Sequence, residues 1–232
     1  EGAANVAKDV GFTRIITFDM GGTSTDVARI DGRPGHRFTL SIAGMTLMAP
    51  CVDIETVAAG GGSICQWMPS GLSVGPESAG SDPGPACYGR GGPLTITDVN
   101  LLLGRFDPSQ APIPIQRAPA AVRLKELTAE MKNASGKETP REELLETLLQ
   151  LAIEKMAAAI RRISVAEGYD PADHALLAFG GAGPQHACAL AEHLGIKTVL
   201  IPQHAGILSA VGLHQARAEN LAERQIRQPV SA

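Results

Sequence analysis

The chain opens with small apolar residues at helical spacing over Glu1 to Val10, then switches to β patterning. Thr13 to Asp19 is an apolar, β-branched run that predicts a buried strand, and Thr25 to Ile30 predicts its hairpin partner. After the turn residues Asp31 to Gly35, His36 to Ser41 alternates and predicts the third strand of a meander. Val52 to Val57 reads as a short strand or one helical turn. Ile64 to Met68 and Leu72 to Val74, joined by Pro69-Ser70-Gly71, predict a second hairpin. Helical spacing takes over from Thr97-Asp98, which is expected to cap a short helix through Leu103, and Ala120 to Met131 carries Leu124, Leu127 and Met131 on one face. Thr139-Pro140-Arg141-Glu142 has the residues of a capping box with proline at the first helical position. The apolar stripe Leu145, Leu149, Ala152, Met156, Ile160 and Ile163 then carries the predicted helix to about Ala166. Beyond Gly168, strand Ala175 to Phe179, helix Pro184 to Leu194 and strand Lys197 to Ile201 make a βαβ unit; a helix over Gly206 to His214 follows, and the polar tail from Arg217 is expected to fray.

Candidate chemistry sits where these elements turn. Asp19-Met20-Gly21-Gly22-Thr23-Ser24-Thr25-Asp26 runs from a strand through a carboxylate, a glycine pair and hydroxyls to a second carboxylate that opens the next strand. Glycines let backbone N–H groups approach an anion, hydroxyls donate to phosphate oxygens, and a strand-end carboxylate suits a hydrated Mg²⁺. The alternative is a glycine hairpin with aspartates serving the turn. Gly180-Gly181-Ala182-Gly183 lies between a strand's C-terminal end and a helix N-terminus, where sheets of this kind bind nucleotides. Gly60-Gly61-Gly62 marks a place where backbone passes close to something. Asp53 and Glu55, two residues apart, are a candidate base or substrate pair, against a purely structural pairing. Cys87 within the Gly/Pro-dense Gly75 to Pro93 loop is a weaker candidate nucleophile, His186 and His193 a weaker metal pair, and His204 a weaker substrate contact.

Composition narrows the partners. The 232 residues are 44% hydrophobic and 19% charged with a formal net charge of −4, as in a globular protein of one large or two small domains. No basic run points to nucleic acid and no apolar stretch is long enough to span a bilayer. The four cysteines are widely spaced with no CxxC pair, which favours neither zinc nor a disulfide framework and suits a reducing cytoplasm. The start lacks an initiator Met and a signal-like core, and reads as a helix cut from a longer protein.

A meander with a glycine-hydroxyl tip, then helices, then a βαβ unit with a second glycine loop resembles the half-repeat of the actin-like ATPases. Phe18 to Val27 looks like the second phosphate loop of heat-shock chaperones and sugar kinases, and Phe179 to Pro184 like their adenosine loop. Within that superfamily, Asp19 to Ala28, Val52 to Ser63, Val74 to Gly80, Pro83 to Gly92, Thr97 to Asn100 and Phe179 to Leu190 resemble the ATP-dependent hydantoinase A / 5-oxoprolinase family. Val57 to Gly60, Gly75 to Ser78 and Gln185 to Cys188 lean toward the oxoprolinase branch. The resemblance implies an α/β fold, namely an actin-like (ribonuclease H-like) lobe with a mixed sheet and flanking helices. It implies one hydantoinase/oxoprolinase domain over 1–232, with 105–140 as a helical insertion or linker. ATP and Mg²⁺ are the implied cofactors, with Asp19 on the metal, Asp26 on metal or water, Gly21, Gly22, Thr23 and Ser24 around the phosphates, and Gly180, Gly181, Ala182 and Gly183 along the adenosine. The implied reaction opens a cyclic amide, 5-oxoproline or a hydantoin, after phosphorylation of the amide oxygen; a ketone carboxylase subunit and a nucleotide-switched chaperone are the alternatives. The implied partners are an amino-terminal lobe and a hydantoinase B-like subunit or domain.

Overall fold

The computed structural model describes residues 1–42, 44–111 and 113–216; the tail from Arg217 lies outside the described residues. In chain order the elements are α1 (Gly2–Asp9), β1 (Arg14–Met20), β2 (Thr25–Asp31), β3 (Arg33–Pro34), β4 (His36–Ile42), β5 (Met45–Val52), β6 (Glu55–Val57), β7 (Ser63–Met68), β8 (Gly71–Ser78), α2 (Ile96–Leu102), α3 (Arg117–Ser135), α4 (Arg141–Arg162), β9 (Ala175–Phe179), α5 (Gly183–Leu194), β10 (Val199–Leu200) and α6 (Leu208–Gln215). The main sheet runs β10-β9-β1-β2, with β1, β9 and β10 parallel, β2 antiparallel to β1, and the short β3 and β6 both antiparallel to β2. This is the mixed sheet with flanking helices that the sequence predicts.

Strand alternation divides the sheet into two apolar faces. Ile16, Phe18, Met20, Val27, Leu176 and Ala178 face a large core built with α2, α4 and α5. The stripe predicted for α4 is that core, with Leu145, Ala152, Met156 and Ile160 all buried. Ala120, Leu124 and Leu127 of α3 join the same cluster. On the other face, Ile15, Ile30, Leu177 and Phe179 pack against Ala3 and Ala7 of α1 and Leu208 of α6.

Four local expectations change. His36 to Ser41 is a strand, but it pairs with β5 in a separate two-stranded ribbon, and the third place in the meander is divided between β3 and β6. The chain leaves the sheet after Pro34 and returns at Glu55, and Asp53 N–H donates to Gly35 carbonyl at 2.8 Å to close the ribbon's base. The Thr139 capping box does not form: Pro140, at ψ 145°, occupies the N-cap of α4, which leaves Thr139 one residue too early to cap. At its other end α4 stops at Arg162, where the Ser164 hydroxyl bonds back to Ile160 carbonyl at 2.6 Å and a short 3-10 turn leads to Gly168. Finally, α2 is capped by Thr95 rather than Thr97, with Asp98 as the reciprocal partner.

Candidate functional site

The tip of the β1–β2 hairpin, Gly21 to Ser24, is gripped from two sides. On one side, Gly61 N–H donates to Gly21 carbonyl at 3.0 Å and Gly62 N–H to Gly22 carbonyl at 2.6 Å. A Cβ on Gly60 would lie 2.6 Å from the Gly22 carbonyl group, so what these glycines admit is the hairpin's own backbone. On the other side, Ala182 N–H donates to Met20 carbonyl at 2.9 Å, which fixes the Gly180–Gly183 loop against the end of β1. The two glycine stretches singled out from sequence, Gly21–Ser24 and Gly180–Gly183, are therefore brought together. Gly22, Thr23 and Gly181 remain exposed, and a side chain added at Gly22 or Gly181 meets nothing within 4 Å.

Asp19 and Asp26 are directly opposite each other in the β1–β2 register. Facing like charges are unfavourable in themselves, so each carboxylate needs a compensating partner. Thr56 hydroxyl donates to Asp26 Oδ1 at 2.5 Å, and Ser209 hydroxyl donates to Asp19 Oδ2 at 2.9 Å. Burial raises the Asp19 carboxyl above its ordinary range; the Ser209 hydrogen bond works against that rise and the Asp26 charge adds to it. Both aspartates line a cavity of about 390 Å³ on the α1/α6 face, together with Ser209 and apolar residues such as Ile54, Phe179 and Leu208. Two paired oxygen ligands beside an open loop suit Mg²⁺, which keeps most of its water shell and takes one or two carboxylates. Among the described residues no cluster of three or more His, Cys, Asp or Glu could hold a metal by itself.

Asp53 and Glu55 stand apart from this pair. Arg37 Nε donates to Asp53 Oδ1 at 2.7 Å at the base of the ribbon. Glu55 is opposite Val27 in the register, hence on the other face from Asp26, and takes Arg162 Nε at 2.7 Å. Cys87 is buried, and burial with the neighbouring Asp98 carboxylate pushes its thiol well up, away from the reactive thiolate. His186 is fully buried against Asn100 at 3.1 Å, whereas His193 lies by Arg161 and Glu154. The two histidines serve separate contacts. His204 is exposed, as are Glu77, Asp82 and Arg90 of the glycine-proline loop.

Sequence reading missed the residues that hold the site. Asp98, buried at 0% exposure, accepts from Thr95 N–H at 2.8 Å, Thr95 hydroxyl at 2.9 Å, Ala86 N–H at 3.1 Å and Cys87 N–H at 2.7 Å. It ties the glycine-proline loop to the start of α2. Next to it, Thr97 holds Gly61 carbonyl with both its N–H, at 2.8 Å, and its hydroxyl, at 2.9 Å. The chain of contacts Asp98, α2, Gly61, Gly21 thus ends on the hairpin tip. Thr97 and Asp98 were visible as helix-capping types, but nothing local signals what they grip. Ser209 had no signal either.

Comparison with known proteins shows the family and the fold of the chain. The sequence profile of the Hydantoinase/oxoprolinase family matches residues 1–221. A 5-oxoprolinase from Pestalotiopsis fici is 47% identical over 210 residues, which are 87% of this chain and 16% of that relative. The chain thus spans only a small part of the relative's length. The crystal structure of an ATP-dependent caprolactamase from Pseudomonas jessenii superposes with a TM-score of 0.79 at 36% identity, covering 91% of this chain and 31% of that one. A nucleotide-free acetone carboxylase structure gives a TM-score of 0.78 at 28% identity, covering 91% and 30%.

Proposed function

Because the chain belongs to the hydantoinase/oxoprolinase family, we propose that it supplies one nucleotide-binding lobe of an ATP-dependent enzyme that hydrolyses a cyclic amide, 5-oxoproline or a hydantoin. The observation that carries this reading is the facing pair Asp19 and Asp26, opposite each other in the hairpin register beside the exposed Gly22-Thr23 tip and the Gly180–Gly183 loop. That layout offers phosphate donors, metal ligands and a second open loop within one neighbourhood.

A lactam resists water because amide resonance and a poor leaving group raise the barrier. ATP removes the obstacle when the amide oxygen attacks the γ-phosphorus and ADP departs; water then adds to the activated carbon, the ring C–N bond breaks to leave an acyl phosphate and a free amine, and a second water hydrolyses the acyl phosphate to the carboxylate and free phosphate. Bound Mg²⁺ would neutralise charge on the phosphates. For this chain's residues, Asp19 and Asp26 would hold the metal's water shell and orient water, and Gly22, Thr23 and Ser24 would donate to phosphate oxygens, the Gly21 N–H being taken by the Ser24 carbonyl at 3.0 Å. Gly180, Gly181, Ala182 and Gly183 line the adenosine. Asp53 and Glu55, already held by Arg37 and Arg162, keep the ribbon base and the sheet edge in place.

The nucleotide in such a design lies between two lobes, so an amino-terminal lobe would complete the phosphate site, and a hydantoinase B-like subunit or domain is the partner expected for ring opening. The likeness to acetone carboxylase favours a ketone carboxylase subunit as the second reading. Phosphate release by the full-length parent protein, assayed in parallel with 5-oxoproline, hydantoin, and acetone plus bicarbonate, separates the two. Stimulation by a cyclic amide supports the first reading; stimulation by the ketone and bicarbonate alone overturns it. In the same assay Asp19→Ala abolishes turnover. Gly181→Val, which has room within the fold, weakens ATP binding by filling the open side of the loop.

A further inference from the structure

One short stretch reaches both halves of the candidate site from outside the motifs. Ala205 carbonyl accepts Gly180 N–H at 2.9 Å, and four residues later Ser209 hydroxyl donates to Asp19 Oδ2 at 2.9 Å. Residues 205–209 therefore touch the second glycine loop and the first carboxylate together. The stretch is itself anchored: Leu208 is buried beside Phe179 and Leu177, and α6 crosses α1 so closely that a Cβ on Gly2 would sit 2.9 Å from Gly212 Cα. Asn5 Nδ2 also donates to Gln215 Oε1 at 2.8 Å, near the far end of the same crossing.

This anchoring matters because Asp19 is in an unfavourable position. Its carboxylate is half-buried and faces Asp26, so rotation toward solvent would relieve both desolvation and repulsion. Ser209 opposes that rotation by taking one oxygen. The other, Oδ1, is left near Gly180, only 2.5 Å from where a Cβ on that residue would project. We propose that Ser209 is a positioning residue, which uses the rigid seat of α6 to hold Asp19 in the rotamer that presents Oδ1 to a hydrated divalent cation and the phosphates it carries. The proposal rests on the reading of Asp19 as a metal-side carboxylate. It adds that its orientation comes from a helix near the end of the described chain, not from the phosphate hairpin.

The test uses the full-length parent protein with Ser209→Ala, Ser209→Thr and Asp19→Ala. Ser209 is exposed, so alanine removes the hydroxyl without opening a cavity, and an unchanged melting temperature confirms this. Two quantities are measured: the Mg²⁺ concentration giving half-maximal ATP turnover, and calorimetric binding of Mg²⁺ in the presence of a non-hydrolysable ATP analogue. Ser209→Ala should weaken both by about tenfold, the scale of one hydrogen bond to a charged group, with the KM for the cyclic amide unchanged. Ser209→Thr, which keeps the hydroxyl, should restore both to near wild type. Wild-type Mg²⁺ dependence in Ser209→Ala, while Asp19→Ala is inactive, overturns the role of Ser209 alone. Full turnover in Asp19→Ala overturns the underlying reading of the site.

Discussion

Two hairpins project from the same sheet and are held in opposite ways. The β1–β2 tip is fixed by donors from outside it, since Met20, Gly21 and Gly22 carbonyls accept from Ala182, Gly61 and Gly62. Among the described residues, the β4–β5 ribbon is fixed at its base, where Asp53 N–H meets Gly35 carbonyl and Arg37 bonds both Asp53 and the Ile54 carbonyl at 2.7 Å. Farther out its strands bond to each other, and Met45 and Met48 are 64% and 88% exposed. A two-stranded ribbon with such sparse packing is marginal by itself, whereas a tip held by backbone on both sides keeps its geometry without a ligand. The difference shows where this lobe invests its order: in the loop that carries the carboxylates and hydroxyls, through residues that are mostly glycine because only glycine lets backbone meet backbone.

The strongest way to break that contrast is to remove the anchor behind the grip. Asp98→Ala leaves Thr95 N–H, the Thr95 hydroxyl and Cys87 N–H without their acceptor, while Ala86 N–H keeps the Pro93 carbonyl at 3.0 Å. Each buried unsatisfied group costs on the order of 1–3 kcal/mol and water recovers part of it, so the loss should be about 4 kcal/mol. Urea unfolding of the purified chain measures it. A loss below about 1 kcal/mol would mean that the loop and α2 do not depend on this carboxylate. The second test acts on the grip directly. Gly60→Ala puts a methyl 2.6 Å from the Gly22 carbonyl, and overpacking against backbone that has little room to move should cost about 2–3 kcal/mol. Gly181→Ala, facing open space, serves as its control and should leave stability unchanged.

These contacts also explain how far the sequence could be read. The β1–β2 hairpin was legible because its signal is local: an apolar strand, a glycine-hydroxyl tip and a second strand. The same holds for α5, with Pro184 at its start and Gly195 closing it. The strand character of His36 to Ser41 was legible too, but its partner was not, since alternation specifies faces and leaves pairing to turn geometry and to what else competes for the edge. Here β3 and β6 take the edge of β2. The glycines at 60–62 announced a close approach without naming what approaches. Ser209 and Asp19 are separated by 190 positions, and a serine in a small-residue helix has no periodicity to mark it. What the sequence encodes plainly is each element; what it hides is which elements end up touching.

A third test uses pH. His186 on α5 and Asn100 on α2 join the two helices whose N-terminal ends flank the hairpin tip. Burial, with a smaller push from Arg105, lowers the imidazole from 6.5 to about 4. The folded ring therefore stays neutral while the unfolded one takes up a proton. Stability from this residue is complete above pH 6.5 and is lost as pH falls toward 4, with a drop of about 2 kcal/mol expected between pH 7.5 and 5. Unfolding free energies across that range, compared with those of His186→Gln, isolate the contribution. Parallel curves for the two proteins would show that the buried ring is not what makes the flanking helices acid-sensitive.

The smallest expected effect is the most informative about the ribbon. Met48 lies 88% exposed opposite Thr39, so Met48→Ser removes almost no buried apolar area from this chain. Surface changes of that kind stay within about 0.5 kcal/mol, and the ribbon's fixed base, from which the Thr39↔Met48 pair is separated by the irregularity after Arg37↔Cys51, should feel nothing. The same urea unfolding experiment decides it, with Leu144→Ala of the α4 core as the contrasting case, because Leu144 is fully buried and its truncation should cost roughly 2–5 kcal/mol. If Met48→Ser instead destabilised the chain by more than about 1 kcal/mol, the ribbon would have to be packed against the lobe in solution. The two hairpins would then no longer differ in how they are held.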